Sequence, residues 1–94
     1  MQVQMPPGRD AVRALAAADG RFLLSENDSM RITASAVLPV NRDAFVVTVS
    51  SDGRRTELML WWRRHVLERH EGEPALMCRR AQAWTDELEQ GRVP

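Results

Sequence analysis

The stretch Trp61-Trp62-Arg63-Arg64-His65-Val66-Leu67-Glu68-Arg69-His70-Glu71 is the most unusual in this chain, with both histidines and two of the three tryptophans. Metal binding fails there on spacing. On a helix, His65 and His70 point about 140° apart, because successive residues turn by about 100°. A two-histidine zinc face needs i and i+4. Glu68 can join His65 at i+3, but that makes only two ligands, and Cys78 has no second cysteine beside it. Nucleophilic catalysis fares no better. No Gly-x-Ser-x-Gly elbow occurs, and Cys78 has no patterned His and Asn partners. Neither glycine-rich phosphate loop is present, and Asp86, Glu87 and Glu89 read as solvated acids at a helix end. The expectation is a protein without catalytic residues, metal or cofactor, and not an enzyme.

Binding chemistry remains. Trp61 and Trp62 are adjacent, so on a helix only one of them packs inward. Trp62 extends the stripe Leu58, Met59, Val66, which leaves Trp61 at a boundary or on the surface. Tryptophan beside arginine is the pairing enriched at interface hot spots. Arginine doublets recur at Arg54-Arg55, Arg63-Arg64 and Arg79-Arg80. Trp61, Arg63 and Arg64 are therefore the expected partner-binding anchors, with Arg54 and Arg55 as steering charges at a hairpin tip. The plainer reading is that Trp61 covers a sheet edge and the arginines make ordinary helical ion pairs such as Arg64–Glu68.

Composition narrows the partner class. The 94 residues carry 13 basic and 13 acidic side chains, and every basic one is Arg. Zero net charge argues against gripping nucleic acid by bulk charge alone. A GC-rich genome is the plainer reading of the absence of lysine and selection for guanidinium groups the sharper one; on either, any electrostatic contact is made by guanidinium forks, which fit carboxylates as well as phosphates. One cysteine excludes an intrachain disulfide framework. No apolar run approaches the roughly 18 residues that cross a bilayer, and the start shows no signal-peptide pattern. A cytoplasmic protein with no membrane contact is expected.

The elements that must position these residues follow from periodicity. Residues 1 to 8 read as a flexible arm ending in Pro6-Pro7-Gly8. A single domain is expected over residues 9 to 91. Arg9 to Asp19 favours a helix, with Val12, Leu15 and Ala16 as its apolar stripe and Gly20 as its stop. A short strand is expected over residues 21–25 and a polar turn over 26–29. Met30 to Leu38 alternates, with Met30, Ile32, Ala34, Ala36 and Leu38 on one face, and Pro39 ends it. Ala44 to Ser50 alternates in the same way, and Asp52-Gly53 marks a hairpin. A strand or turn is expected to about Leu58, followed by a helix through about His70. Pro74 opens a last helix with the stripe Met77, Ala81, Trp84, Leu88, and Gly91 closes it. The fold class is α+β: an N-terminal helix, a three- or four-stranded antiparallel meander and two C-terminal helices packed on one face.

The order helix–strand–strand–strand–helix resembles the double-stranded RNA-binding domain over roughly residues 9 to 71, in topology only. That family has a lysine-rich cluster at the start of its last helix, and the matching stretch here is Arg54-Arg55-Thr56-Glu57. No site residue is carried over. Small size and the absence of catalytic motifs suit a non-catalytic module that docks on a larger protein complex and modulates or inhibits it. Anti-CRISPR proteins and other phage or mobile-element inhibitors of host defence have this profile, as do immunity proteins, antitoxins and small adaptors. A nucleic-acid binder using the arginine doublets is the alternative, and a homodimer is compatible with either.

Overall fold

Five strands, each hydrogen-bonded to its neighbour in sequence, make one antiparallel meander in the order β1-β2-β3-β4-β5. The computed structural model describes residues 8–26 and 30–94. The elements are α1 (Gly8–Ala18), β1 (Leu23–Glu26), β2 (Ile32–Val40), β3 (Asp43–Ser51), β4 (Thr56–Trp62), β5 (His65–Glu71) and α2 (Pro74–Glu89). The fold is α+β, with one helix at each end of the sheet-forming segment. The expected arm lies outside the described residues except for Gly8, which begins α1. Residues 27–29 of the expected turn also lie outside them.

Period-2 patterning builds the core. Ile32, Ala34, Ala36, Leu38 and Val40 of β2 are buried, as are Phe45, Val47 and Val49 of β3 and Leu58 and Leu60 of β4. The two helices close over that face, α1 through Val12 and Leu15 and α2 through Met77, Cys78, Ala81 and Leu88. The start of α1 lies hard against the sheet. A Cβ on Gly8 would collide with Ser51 Oγ and stand 2.6 Å from Thr56 Oγ1.

Several expectations are corrected. The helix expected from about residue 59 to His70 is instead a hairpin, β4 and β5, so there are five strands and a single C-terminal helix. The likeness to the double-stranded RNA-binding domain ends with it, since the third strand is followed by two more strands. Pro39 does not end β2. It pairs opposite Ala44, one step from the Val40↔Asp43 pair that flanks the two-residue turn. The alternating ladder then aims the proline nitrogen away from β3. On that side β1 reaches only Ser35, so no ladder bond is lost at Pro39. Met30 stands outside the strand at φ 66° and is exposed. Gly20 is not the helix stop, because α1 ends at Ala18 and Gly20 lacks a positive φ. The chain leaves α1 through Asp19, whose Oδ1 accepts from the Arg21 backbone N–H at 3.0 Å. At the other end Gly91, at φ 80°, does follow α2 closely.

Candidate functional site

The helices cover one face of the sheet and leave the other open. On that open face the register lines up Val37, Val46, Trp61 and Val66 side by side across β2, β3, β4 and β5. Val37 is 62% exposed and Val66 43% exposed, and Val46 and Trp61 are half-buried between them. Pro39 and Ala44 extend the apolar ground on one side of this row. On the other side comes the mixed row Leu23, Ser35, Thr48, Met59, Arg69, and then the polar row Thr33, Ser50, Glu57, Glu71. The open face thus grades from apolar near the β2–β3 and β4–β5 turns to charged near the β3–β4 turn.

Strand alternation, not a helical stripe, separates the two tryptophans. Trp62 packs against the core on the helix side. Trp61 points to the open side, where its Nε1 donates to Thr48 Oγ1 at 2.9 Å. The division expected of the pair is therefore found, for a different reason. One residue of β5 is bulged out opposite Leu60/Trp61. The extra residue is Leu67, which is 46% exposed.

At the charged end, Glu57 is almost fully buried and is clasped by Arg69 of β5 and by Arg31, which just precedes β2. Arg69 Nε donates to Glu57 Oε2 at 2.8 Å, and Arg31 Nη1 lies 3.4 Å from Oε1 and 3.1 Å from Ser50 Oγ. The Arg69 bond, with help from Arg31, holds the Glu57 carboxyl below the usual range despite its burial. Arg55 adds a long contact to Glu71 at 3.9 Å.

The expected anchors do not all converge. Arg63 and Arg64 form the β4–β5 turn, while Arg54 and Arg55 sit in the β3–β4 turn at the opposite end of β4. A strand of that length separates the doublets by about 25 Å. Trp61 lies next to the first doublet and far from the second. Arg79 and Arg80 are on α2, on the covered side of the sheet. Arg63 and Arg64 both stand in the left-handed region, at φ 49° and 68°, which is uncommon for residues with a side chain. Arg63 is held there by Asp43, with its Nη2 at 3.0 Å from Oδ1, and by stacking over Trp62 at 4.7 Å from the ring centroid.

The two histidines and the cysteine are dispersed. His65 is exposed beside the Arg63-Arg64 turn. His70 packs edge-on against Trp84 of α2, with ring centroids 5.7 Å apart. Cys78 is buried between the helices, its thiol 3.6 Å from the Ala11 carbonyl. Burial, with Glu73 nearby, raises its pKa and makes it a poor nucleophile. Among the described residues, no three or more His, Cys, Asp or Glu side chains gather where they could hold a metal ion. No helix among them is long and apolar enough to cross a membrane. A shallow apolar groove of about 290 Å³ lies between α1 and α2, lined by small residues such as Ala11, Ala14 and Ala75.

No family description, no curated protein and no solved structure matches this chain.

Sequence reasoning found Trp61 but missed its neighbours in the row. Val37 and Val46 were legible as the apolar members of otherwise polar strand faces, and that was the available signal.

Proposed function

We propose that the chain is a non-catalytic protein-docking module and that the open sheet face is its docking surface. The single observation that carries this is the cross-strand row Val37–Val46–Trp61–Val66, an apolar stripe left uncovered while both helices sit on the opposite face. Contiguous exposed apolar ground with a polar rim is characteristic of interaction sites. Trp61 is its large aromatic anchor. Arg63 and Arg64 border the apolar end of the face. Arg54 and Arg55 lie beyond its charged end and act as rim charges that orient an incoming partner. Modulation of a larger protein complex, in the cytoplasm, is the role this reading assigns to the module.

The test is capture of partners from host extract by the wild-type chain, by Trp61→Ala and Val37→Glu, and by an Ala17→Arg control on the exposed side of α1. The expected result is that both open-face variants lose a partner that the control retains. Equal capture by all four removes the assignment of this face. The nucleic-acid alternative predicts instead an affinity for duplex RNA or DNA that falls steeply with salt.

A further inference from the structure

Resting on the docking assignment above, we infer that a second copy of this chain occupies the open face, so that the free protein is a two-layer dimer packed sheet to sheet.

The pattern on the face is self-complementary about a two-fold axis that runs along the strands between β3 and β4. Such a rotation keeps each position along the strands and reverses the strand order, so β2 lies over the partner's β5 and β3 over its β4. Val46 then meets the second copy's Trp61, and Val37 meets its Val66. The apolar row therefore covers itself along its whole length. An axis across the strands would instead set the apolar end of one face on the charged end of the other and bury unpaired charge, which is costly.

The charges at one end obey the same symmetry. Arg31 flanks β2 and Glu71 ends β5, so the rotation sets the basic corner of each copy over the acidic corner of the other. At the other end Arg42 stands beside Asp43, and Asp43 is already paired with Arg63 of its own chain, so that end adds no charge pair between copies. Each complementary contact occurs twice, as an isologous interface requires.

The area is that of a small interface. The four strands that overlap, β2 to β5, are nine, nine, seven and seven residues long and about 4.8 Å apart, so each copy contributes on the order of 500 Å², about 1,000 Å² in all, the lower bound for a specific interface. Two twisted sheets pack face to face with their strands within about 30° of each other, which keeps the row-on-row correspondence near the centre.

Sedimentation equilibrium of the full chain at micromolar concentration tests this. The expected mass is twice the 10.7 kDa of one chain. Val37→Glu and Val66→Glu are each expected to raise the dimer dissociation constant at least tenfold with an unchanged far-ultraviolet circular dichroism spectrum. Arg31→Glu alone should weaken the dimer, and Arg31→Glu with Glu71→Arg should restore it. A wild-type monomer overturns the inference, and so does a dimer that survives both valine variants. A monomer whose open-face variants still lose a captured partner overturns self-pairing while leaving the docking assignment standing. A dimer broken by the valine variants but not re-formed by the charge exchange overturns the axis along the strands.

Discussion

Trp61 and Thr48 are diagonal neighbours on the open sheet face, joined by a 2.9 Å hydrogen bond from the indole Nε1 to the threonine hydroxyl. The bond satisfies the one polar atom of the ring and lays the indole toward β3 instead of outward into solvent. Thr48→Val removes the acceptor and keeps the shape. It should cost about 1 kcal/mol of folding stability in urea titration and free the indole. Trp61→Ala should weaken partner binding by about 2 kcal/mol or more, read by calorimetry, while leaving the protein folded.

Gly8 is expected to resist substitution. Any side chain there drives a carbon into Ser51 and Thr56, whose hydroxyls lie 3.2 Å apart in a hydrogen bond. Gly8→Ala should destabilise the fold by roughly 1–3 kcal/mol, the range for forcing extra atoms into a packed site. Thermal unfolding measures this. Gly20→Ala, with open space around it, is the matched control and should shift the midpoint little.

The Arg63-Arg64 turn predicts a gain. Two consecutive left-handed residues that carry side chains store about 1–3 kcal/mol of strain each, and asparagine–glycine is the preferred pair for two such positions. Arg64→Gly should raise the unfolding midpoint. Arg63→Asn should give less, because it also gives up the Asp43 contact and the stacking on Trp62. If the strain serves docking, the stabilised variant loses partner affinity.

Acid stability should depend most on Asp19 and Glu57, the two carboxylates with lowered pKa values whose side chains are largely shielded from solvent. Arg21, donating to Asp19, lowers the Asp19 pKa from an ordinary 3.8 to about 2. Both carboxylates therefore bind protons more weakly when folded than when unfolded. The stability they contribute is fully present above the unfolded value and is lost as pH falls through the folded one. For Asp19 that window runs from about 4 down to about 2, and Glu57 behaves in the same sense from its ordinary 4.5 downward. Asp19→Asn should flatten the decline in urea midpoint between pH 4 and pH 2 and lower stability at pH 7.

Cys78 should react slowly with a thiol reagent at pH 8 in the native state and at once in denaturant. It is 8% exposed and its pKa is raised. Native labelling as fast as that of a free thiol would contradict its placement between α1 and α2.

Much of this architecture was readable from residue types alone. β2 and β3 announce themselves because one face is sealed and the other is mostly polar, which produces alternation. The two terminal helices were legible from their apolar stripes. The β4–β5 hairpin was not, for three physical reasons. Its turn is Arg63-Arg64, which carries no glycine or asparagine signal. Leu58, Met59, Trp62 and Val66 satisfy helical spacing as well as they fit a strand with apolar residues on both faces. β5 is an edge strand whose side chains are nearly all exposed or half-exposed, so no burial pattern is imprinted on it. The bulge at Leu67 breaks whatever alternation was left. The candidate site was half legible for a related reason. A tryptophan stands out in any sequence, but Val37 and Val46 acquire meaning only when the register places them beside it.

The two helices that seal the core lie on either side of the meander in sequence. Synthesis proceeds from the N-terminus, so the meander can zip together strand by strand while Met77, Ala81 and Leu88 have yet to be made. Until they arrive, α1 alone covers the core face, through Val12 and Leu15. The nascent chain therefore presents part of that face beside the open one, and the arrival of α2 completes the seal.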